Sequence, residues 1–290
     1  MKVLLIAIRP FSFVASFLPV TVGALLAERF NFSLYFLSLL AAILIHAGVN
    51  TTNDYFDFKK GVDNKNSLGS SGLLINGQVK PSKIVTISIV CYILGTLLGL
   101  YLVLKVGTGL IWYGIVGILF GYLYTGKPLQ LKYKALGTFQ VFILMGPLMV
   151  LGSYYVQTGQ FSYKALLLSI PIGLMTDLIL HANEIRDSQF DSKVGIKTLS
   201  IILGDKKAAN LYFILVVLIY ILFIVLYLMK VFNAFILLSF LVLPLYISIF
   251  KLLKEKALGK KSPKEIANVD KMGALAEMVI TVIIIVSMLR

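Results

Sequence analysis

Long apolar runs separated by short polar stretches dominate the chain. Nine such runs fall near residues 10–27, 33–53, 83–104, 108–125, 136–157, 163–184, 208–229, 232–250 and 273–289. A helix crossing a bilayer needs roughly 20 predominantly apolar residues, and each run approaches that length. The expectation is an all-α, polytopic membrane protein with nine transmembrane helices in one domain spanning 1–290. The first run has the look of a signal peptide. Arg9-Pro10 interrupts its start, however, and eight more runs follow, so it is read as a retained first span.

Composition agrees. The 290 residues are 59% hydrophobic and 14% charged, against about 45–50% and 25% in an ordinary soluble domain. That excludes a soluble globular or disordered chain. Cys91 is the single cysteine, so no disulfide framework or cysteine zinc site can form within the chain.

The loops fall into two classes. Those after runs 2, 4, 6 and 8 are long and polar, whereas those after runs 1, 3, 5 and 7 are short. Of the 27 Lys and Arg residues, 22 lie in the long loops or at the N-terminus. The other five are Arg29, Lys105, Lys164, Lys230 and Arg290. The positive-inside rule then places the N-terminus and the long loops in the cytoplasm and the C-terminus outside. The net charge of +14 thus reflects topology and attraction to anionic lipid, not a nucleic-acid surface.

Acidic residues are scarce and clustered. The first cluster reads Asn50-Thr-Thr-Asn53-Asp54-Tyr-Phe-Asp57-Phe-Lys-Lys-Gly61-Val-Asp63. Asn50, Asn53, Asp54 and Asp57 sit at i, i+3, i+4 and i+7, on one helix face, with His46 a turn deeper. The second reads Asn183-Glu184-Ile-Arg186-Asp187-Ser-Gln-Phe-Asp191, with Asp187 and Asp191 at i, i+4. Carboxylates so spaced repel each other, and at membrane depth they call for neutralisation. Mg²⁺ suits them, because it commonly bridges one or two carboxylates to substrate phosphates. Arg186, Lys193 and Lys197 lie near enough in sequence to neutralise the charge left on a diphosphate. The plainer alternative makes these acids helix-end caps, but it does not explain two such clusters at equivalent ends of runs 2 and 6. Gly69-Ser-Ser-Gly72 could form a phosphate nest or an ordinary loop.

The two clusters resemble the motifs of the UbiA superfamily of intramembrane prenyltransferases, Asn-Asp-x-x-Asp and Asp-x-x-x-Asp. Here they read Asn53-Asp54-Tyr-Phe-Asp57 and Asp187-Ser-Gln-Phe-Asp191. Many members carry another Asp four residues after the first motif. This chain has Gly61 there and Asp63 two positions later, a pattern similar to the menaquinone branch. Ile8-Arg9-Pro10-Phe-Ser-Phe, Tyr124-Thr-Gly126, Leu131-Lys132-Tyr133-Lys134-Ala-Leu-Gly137, Gly146-Pro-Leu-Met-Val-Leu-Gly152 and Gly195-Ile-Lys-Thr-Leu199 resemble the same branch. Beyond residue 205 only hydropathy supports the likeness.

The resemblance implies nine helices ringing a cavity open sideways to lipid, under a cytoplasmic cap built from the even-numbered loops. It implies Mg²⁺ held by Asp54, Asp57, Asp187 and Asp191, which bind a polyprenyl diphosphate and assist its departure. An aromatic acceptor of the naphthoate or naphthoquinol type then takes the prenyl group. Asn50, Asn53, Asp63, Asn183, Arg186, Lys193, Lys197, Arg9, Lys132 and Tyr133 would contact substrate. Hydroxybenzoate, haem and glycerol ethers are the alternative acceptors. A transporter is the alternative from another class, but it would favour midplane acids and a repeat between halves. The Asp-Gly-x-x-Ala-Arg signature of CDP-alcohol phosphotransferases is absent.

Four residues stay open on sequence grounds. His46 and His181 could take a proton from the acceptor or simply bond between helices. Asp177, deep in run 6, could bind acceptor or bond across helices. Placed at i, i+4, Asp177 and His181 are expected in the acceptor half of the cavity. Glu277 is an intramembrane acid with no motif beside it.

The charge division makes a direct topological prediction. Epitope tags inserted in 59–82 and 186–206 should be shielded in intact cells, and a C-terminal tag should be reachable from outside. Finding both motif loops outside would overturn the reading.

Overall fold

The computed structural model describes residues 2–64 and 70–289. Gly69 and Arg290, named above, lie outside the described residues. Helices coincide with each apolar run: α1 (Val14–Leu25), α2 (Phe32–Lys60), α3 (Pro81–Val106), α4 (Leu110–Leu123), α5 (Gly137–Thr158), α6 (Tyr163–Lys193), α7 (Asp205–Leu228), α8 (Ala234–Ala257) and α9 (Val269–Met288). Short helices Lys2–Ile8 and Leu199–Leu203 flank them.

Seven helices among the described residues, α2, α3 and α5 to α9, are long and apolar enough to cross a membrane. The first and fourth runs yield shorter apolar helices, Pro10–Leu25 and Leu110–Leu123. Local chemistry trims them. Pro10 opens the first with a 3₁₀ turn. Gly107, at φ 128°, ends α3 in a conformation that side chains resist, and α4 starts only after it. Within α5 the backbone widens to a π turn over Leu144–Leu148, where Pro147 has no N–H to donate.

Each helix from α1 to α9 packs on the next in sequence, and α9 packs back on α1, closing a circuit. Contacts across it join α1 to α5 and α6 to α9. The α5–α6 crossing depends on glycine: a Cβ at Gly146 would stand 2.7 Å from both the Gly173 Cα and the Ser169 carbonyl oxygen. The main core lies around α6 to α9, with Leu168, Met175, Phe223, Ile236 and Ile280 buried. Outward faces are the reverse of a soluble protein. Leu104, Leu228 and Leu241 are 85%, 71% and 77% exposed, an apolar exterior that water would not tolerate but lipid does. The chain is an integral membrane protein.

The long loops gather at the end of the circuit where α2 and α6 finish. Ala7 of the N-terminal helix packs with Leu73, Leu74, Val79 and Ile84. Val62, Tyr133 and Ile196 form a second small core, one residue from each of three different loops. Among the described residues there is no strand; one isolated bridge pairs Lys134 with Lys197. Buried Lys256 donates to Asp205 Oδ2 at 2.6 Å and Ser188 Oγ at 2.5 Å, tying the end of α8 to α6 and α7.

Candidate active site

Both acid clusters occupy the last turns of long helices. Asp54 and Asp57 precede the end of α2 at Lys60, and Asp187 and Asp191 precede the end of α6 at Lys193. Helix C-termini carry partial negative charge, so these carboxylates sit where anions are least favoured. Cations delivered by distant segments offset that cost.

Arg9 adopts a left-handed backbone, φ 54°, between the N-terminal helix and the 3₁₀ turn, and its guanidinium pairs with Asp54. The other oxygen, Asp54 Oδ2, is buried without a partner. Lys132 donates to Asp57 Oδ2 at 2.6 Å, and the Tyr133 hydroxyl donates to Oδ1 at 2.6 Å. Gln130, at φ 51°, turns the chain into the short 3₁₀ helix that carries both. Burial works against the Lys132 charge, yet Asp57 holds its pKa above the ordinary lysine value. Burial and Asp57 likewise hold the Tyr133 phenol above its ordinary value. Asn50 Nδ2 donates to the Ile8 carbonyl at 3.1 Å and to Ser12 Oγ at 3.0 Å, fixing the N-terminal segment above α2.

In the second cluster Arg186 is wholly buried. Its Nε and Nη2 grip Asp187 at 2.8 and 2.7 Å, while Nη1 reaches Asp270 Oδ2 at 3.2 Å and donates to the Ala267 carbonyl at 3.3 Å. Asp191 is half-buried, and no cation among the described residues is bonded to it. The Lys197 backbone N–H donates to the Tyr133 carbonyl at 3.1 Å, fastening the loop after α6 to the residue that holds Asp57. The two motifs therefore share one end of the molecule, with Lys132 between them.

Below them lies a cavity of about 270 Å³. Arg9, Asn50, Asn53, Asn183 and Asp270 line its upper part, and His46, Thr176 and Glu277 lie deeper along their helices. A second cavity of about 510 Å³, almost wholly apolar, opens between α2, α3, α4 and α5. Ile45, Gly117, Leu148 and Met149 form walls of both.

No three His, Cys, Asp or Glu side chains among the described residues are arranged to hold a metal by themselves. The donor set nevertheless fits Mg²⁺, which keeps waters and takes one or two carboxylates plus phosphate oxygens. The orphaned Asp54 Oδ2 and the unpaired Asp191 are available for that.

Several residues sit differently from the sequence expectation. Arg186 is wholly buried and commits four of its five N–H donors to Asp187, Asp270 and Ala267, so it braces the motif against α9. Lys193 and Lys197 are exposed and pair with none of the motif carboxylates. Asp177 and His181 do not line the cavity. His181 is buried with Nε2 2.9 Å from the Ala208 carbonyl of α7. The reason is rotational: at roughly 100° per residue, positions 177 and 181 point well away from the 176, 180, 183 stripe that faces the cavity. His46, in contrast, does line it, with Nδ1 2.7 Å from Ser16 Oγ. Thr176 and Gln140 line it without having drawn notice, because a lone Thr or Gln in an apolar run carries no pattern.

The site thus consists of paired aspartates over a cavity that shares walls with an apolar groove, inside an all-helical membrane protein. The family follows from comparison. Residues 16–267 match the UbiA prenyltransferase family, and the chain belongs to it. It is 36% identical over 206 residues to the 1,4-dihydroxy-2-naphthoate octaprenyltransferase of Bacillus subtilis, covering 70% of this chain and 66% of that protein. It is 38% identical over 230 residues to UbiA prenyltransferase domain-containing protein 1 of Danio rerio, covering 76% and 67%. The chain thus spans about two thirds of the length of these relatives. The fold is that of a UbiA homolog from Archaeoglobus fulgidus solved with GPP and Mg²⁺, at TM-score 0.61, 16% identity and coverage of 98% and 99%.

Asp63 makes the site's pH response testable. Burial first, then Asp57, raise its pKa from 3.8 to about 6, against the opposing pull of Lys132 and Arg9. The folded state then binds more protons than the unfolded one between those values, so stability should fall as pH rises through that window. Melting temperatures of wild type and Asp63→Asn across it should fall more steeply in the wild type; equal slopes would refute the assignment.

Proposed function

We propose that the protein transfers a polyprenyl group from a polyprenyl diphosphate to an aromatic acceptor of the naphthoate or naphthoquinol type. The observation that carries this is the gradient across the two adjoining cavities, from paired carboxylates and cations through amides to an apolar groove. A diphosphate fits the charged end, and an isoprenoid fits the groove lined by Ala41, Leu100, Ile118 and Val156. The naphthoate class of acceptor is supported by the Bacillus subtilis relative.

Asp54, Asp57, Asp187 and Asp191 would hold Mg²⁺, which when bound supplies Lewis-acid neutralisation of the diphosphate. The chain's own residues do the rest. Arg9 and Lys132 present fixed positive charge where the leaving diphosphate gains negative charge, a form of preorganised stabilisation. Asn53 and Asn183 offer amide groups just below the aspartates. The enclosing helices keep water from an allylic cation. In this reading α1 and α4 complete nine spans of a single domain. The long loops form a cytoplasmic cap over the site, and the C-terminus lies outside. The concentration of acids at one end favours transfer chemistry over an ion path across the bilayer.

Two experiments test it. Asp57→Asn and Asp191→Asn should each cut Mg²⁺-dependent prenyl transfer by more than about tenfold, equivalent to roughly 1.4 kcal/mol of transition-state stabilisation. The melting temperature should hold in Asp191→Asn and fall in Asp57→Asn, which leaves Lys132 without its counter-charge. Retained turnover would overturn the metal assignment. A Cβ at Gly114 would meet open space in the groove. Gly114→Phe should therefore shorten the longest isoprenoid diphosphate accepted while leaving geranyl diphosphate turnover intact. An unchanged chain-length profile would place the tail elsewhere.

A further inference from the structure

Glu277 is 1% exposed, lies inside α9, and lines the cavity. Thr176 of α6 donates to its Oε1 at 2.7 Å. Its Oε2 is buried with no partner at all. An unsatisfied carboxyl oxygen at this depth is costly, and intramembrane ionisable groups usually face a pathway or a ligand. The motif acids Asp54, Asp57 and Asp187 each have a cation; Glu277 has a hydroxyl only.

Its position along the helices says what the free oxygen meets. Asp270, Ala274 and Glu277 share one face of α9, and Asp270 touches Arg186 beside the second motif. Seven residues at 1.5 Å each put Glu277 roughly 10 Å deeper than Asp270. Thr176 lies as far below Asn183 on α6, and His46 lies eight residues below Asp54 on α2. The cavity is thus layered: carboxylates and cations at the mouth, asparagines next, then a polar floor of His46, Thr176 and Glu277. Met145, Leu148 and Ile179 supply apolar walls.

We propose that the Thr176–Glu277 pair is the acceptor-binding group, with Glu277 Oε2 accepting a hydrogen bond from a ring hydroxyl. This rests on the prenyl-transfer reading and specifies its second substrate. The groups around the oxygen choose the ligand. A diphosphate or carboxylate would find no counter-charge beside Glu277, whose bonded partner is the Thr176 hydroxyl. A flat apolar body fits the walls, and one hydroxyl satisfies the orphaned oxygen. A naphthoate carboxylate then points up, toward Arg9 and the asparagines, and the ring carbons between lie near the level of the prenyl carbon.

The test uses the full chain in nanodiscs with Mg²⁺, geranyl diphosphate, 1,4-dihydroxy-2-naphthoate and its dimethyl ether. Binding of labelled dihydroxynaphthoate is measured by equilibrium dialysis alongside turnover. Glu277→Gln should weaken acceptor binding and raise the acceptor KM by about fivefold or more, the scale of one lost hydrogen bond. The KM for geranyl diphosphate should stay within about twofold, since that substrate sits at the other end. The wild type's preference for the free hydroxyl over the ether should collapse in the variant, which a purely structural role would not cause. Thr176→Val, which leaves the carboxylate in place but untethered, should shift the acceptor KM in the same direction and by less. Glu277→Gln and Thr176→Val that bind acceptor with wild-type affinity and selectivity would overturn the inference while leaving prenyl transfer standing. A wild type that transfers nothing, yet loses naphthoate binding on Glu277→Gln, would overturn the transfer reading and support the acceptor site. No binding by wild type overturns the inference too.

Discussion

Four carboxylates held in the final turns of two helices set the terms for the rest of this structure. Neighbouring acids repel, helix C-termini add negative potential, and the membrane boundary weakens solvent screening. For the first pair the relief comes from elsewhere in the chain, and for the second from a neighbour braced by α9. Arg9 reaches Asp54 from the N-terminal segment, Lys132 reaches Asp57 from the loop after α4, and Arg186 spans Asp187 and Asp270. Each pairing requires a structural element to be in place. The N-terminal helix docks on Leu73 and Leu74, the 3₁₀ turn at Leu131–Tyr133 packs on Val62 and Ile196, and α9 closes on α6. Loops of a membrane protein are often mere connections; here they are counter-charge carriers.

That electrostatic demand also separates the interior into zones. Cations and acids crowd the mouth, amides lie a turn deeper, and the groove between α2 and α5 is nearly all hydrocarbon. Glycines make room for that groove. Gly95, Gly99, Gly114 and Gly117 border it, and Gly99 and Gly114 face open space. Elsewhere glycine serves the opposite purpose, since Gly146 and Gly173 let α5 and α6 touch backbone to backbone. One residue type thus both opens and seals the same bundle, depending on what lies opposite.

The division between sequence and structure follows from the range of the forces. Helical periodicity, apolar run length and charge asymmetry are local or additive, so nine helical segments and two acid stripes are legible in the chain itself. Asn50, Asn53, Asp54 and Asp57 read as one face because 3.6 residues per turn puts them there. What could not be read was rotation and partnership. Asp177 and His181 lie within a turn or two of the motif, yet both miss the cavity and His181 turns toward α7, because packing of α6 against its neighbours selects which stripe meets the cavity. Arg186 sits beside Asp187 in sequence and looks like a free cation; only the approach of Asp270 and Ala267 shows that it is buried in a brace between α6 and α9. Lys132 meets Asp57 across 75 residues, and Thr176 meets Glu277 across 101. Spacing along one helix is dictated by covalent geometry, so the sequence alone determined the acid stripes. Pairing between helices is decided by which faces can bury together, and that only the tertiary structure settles.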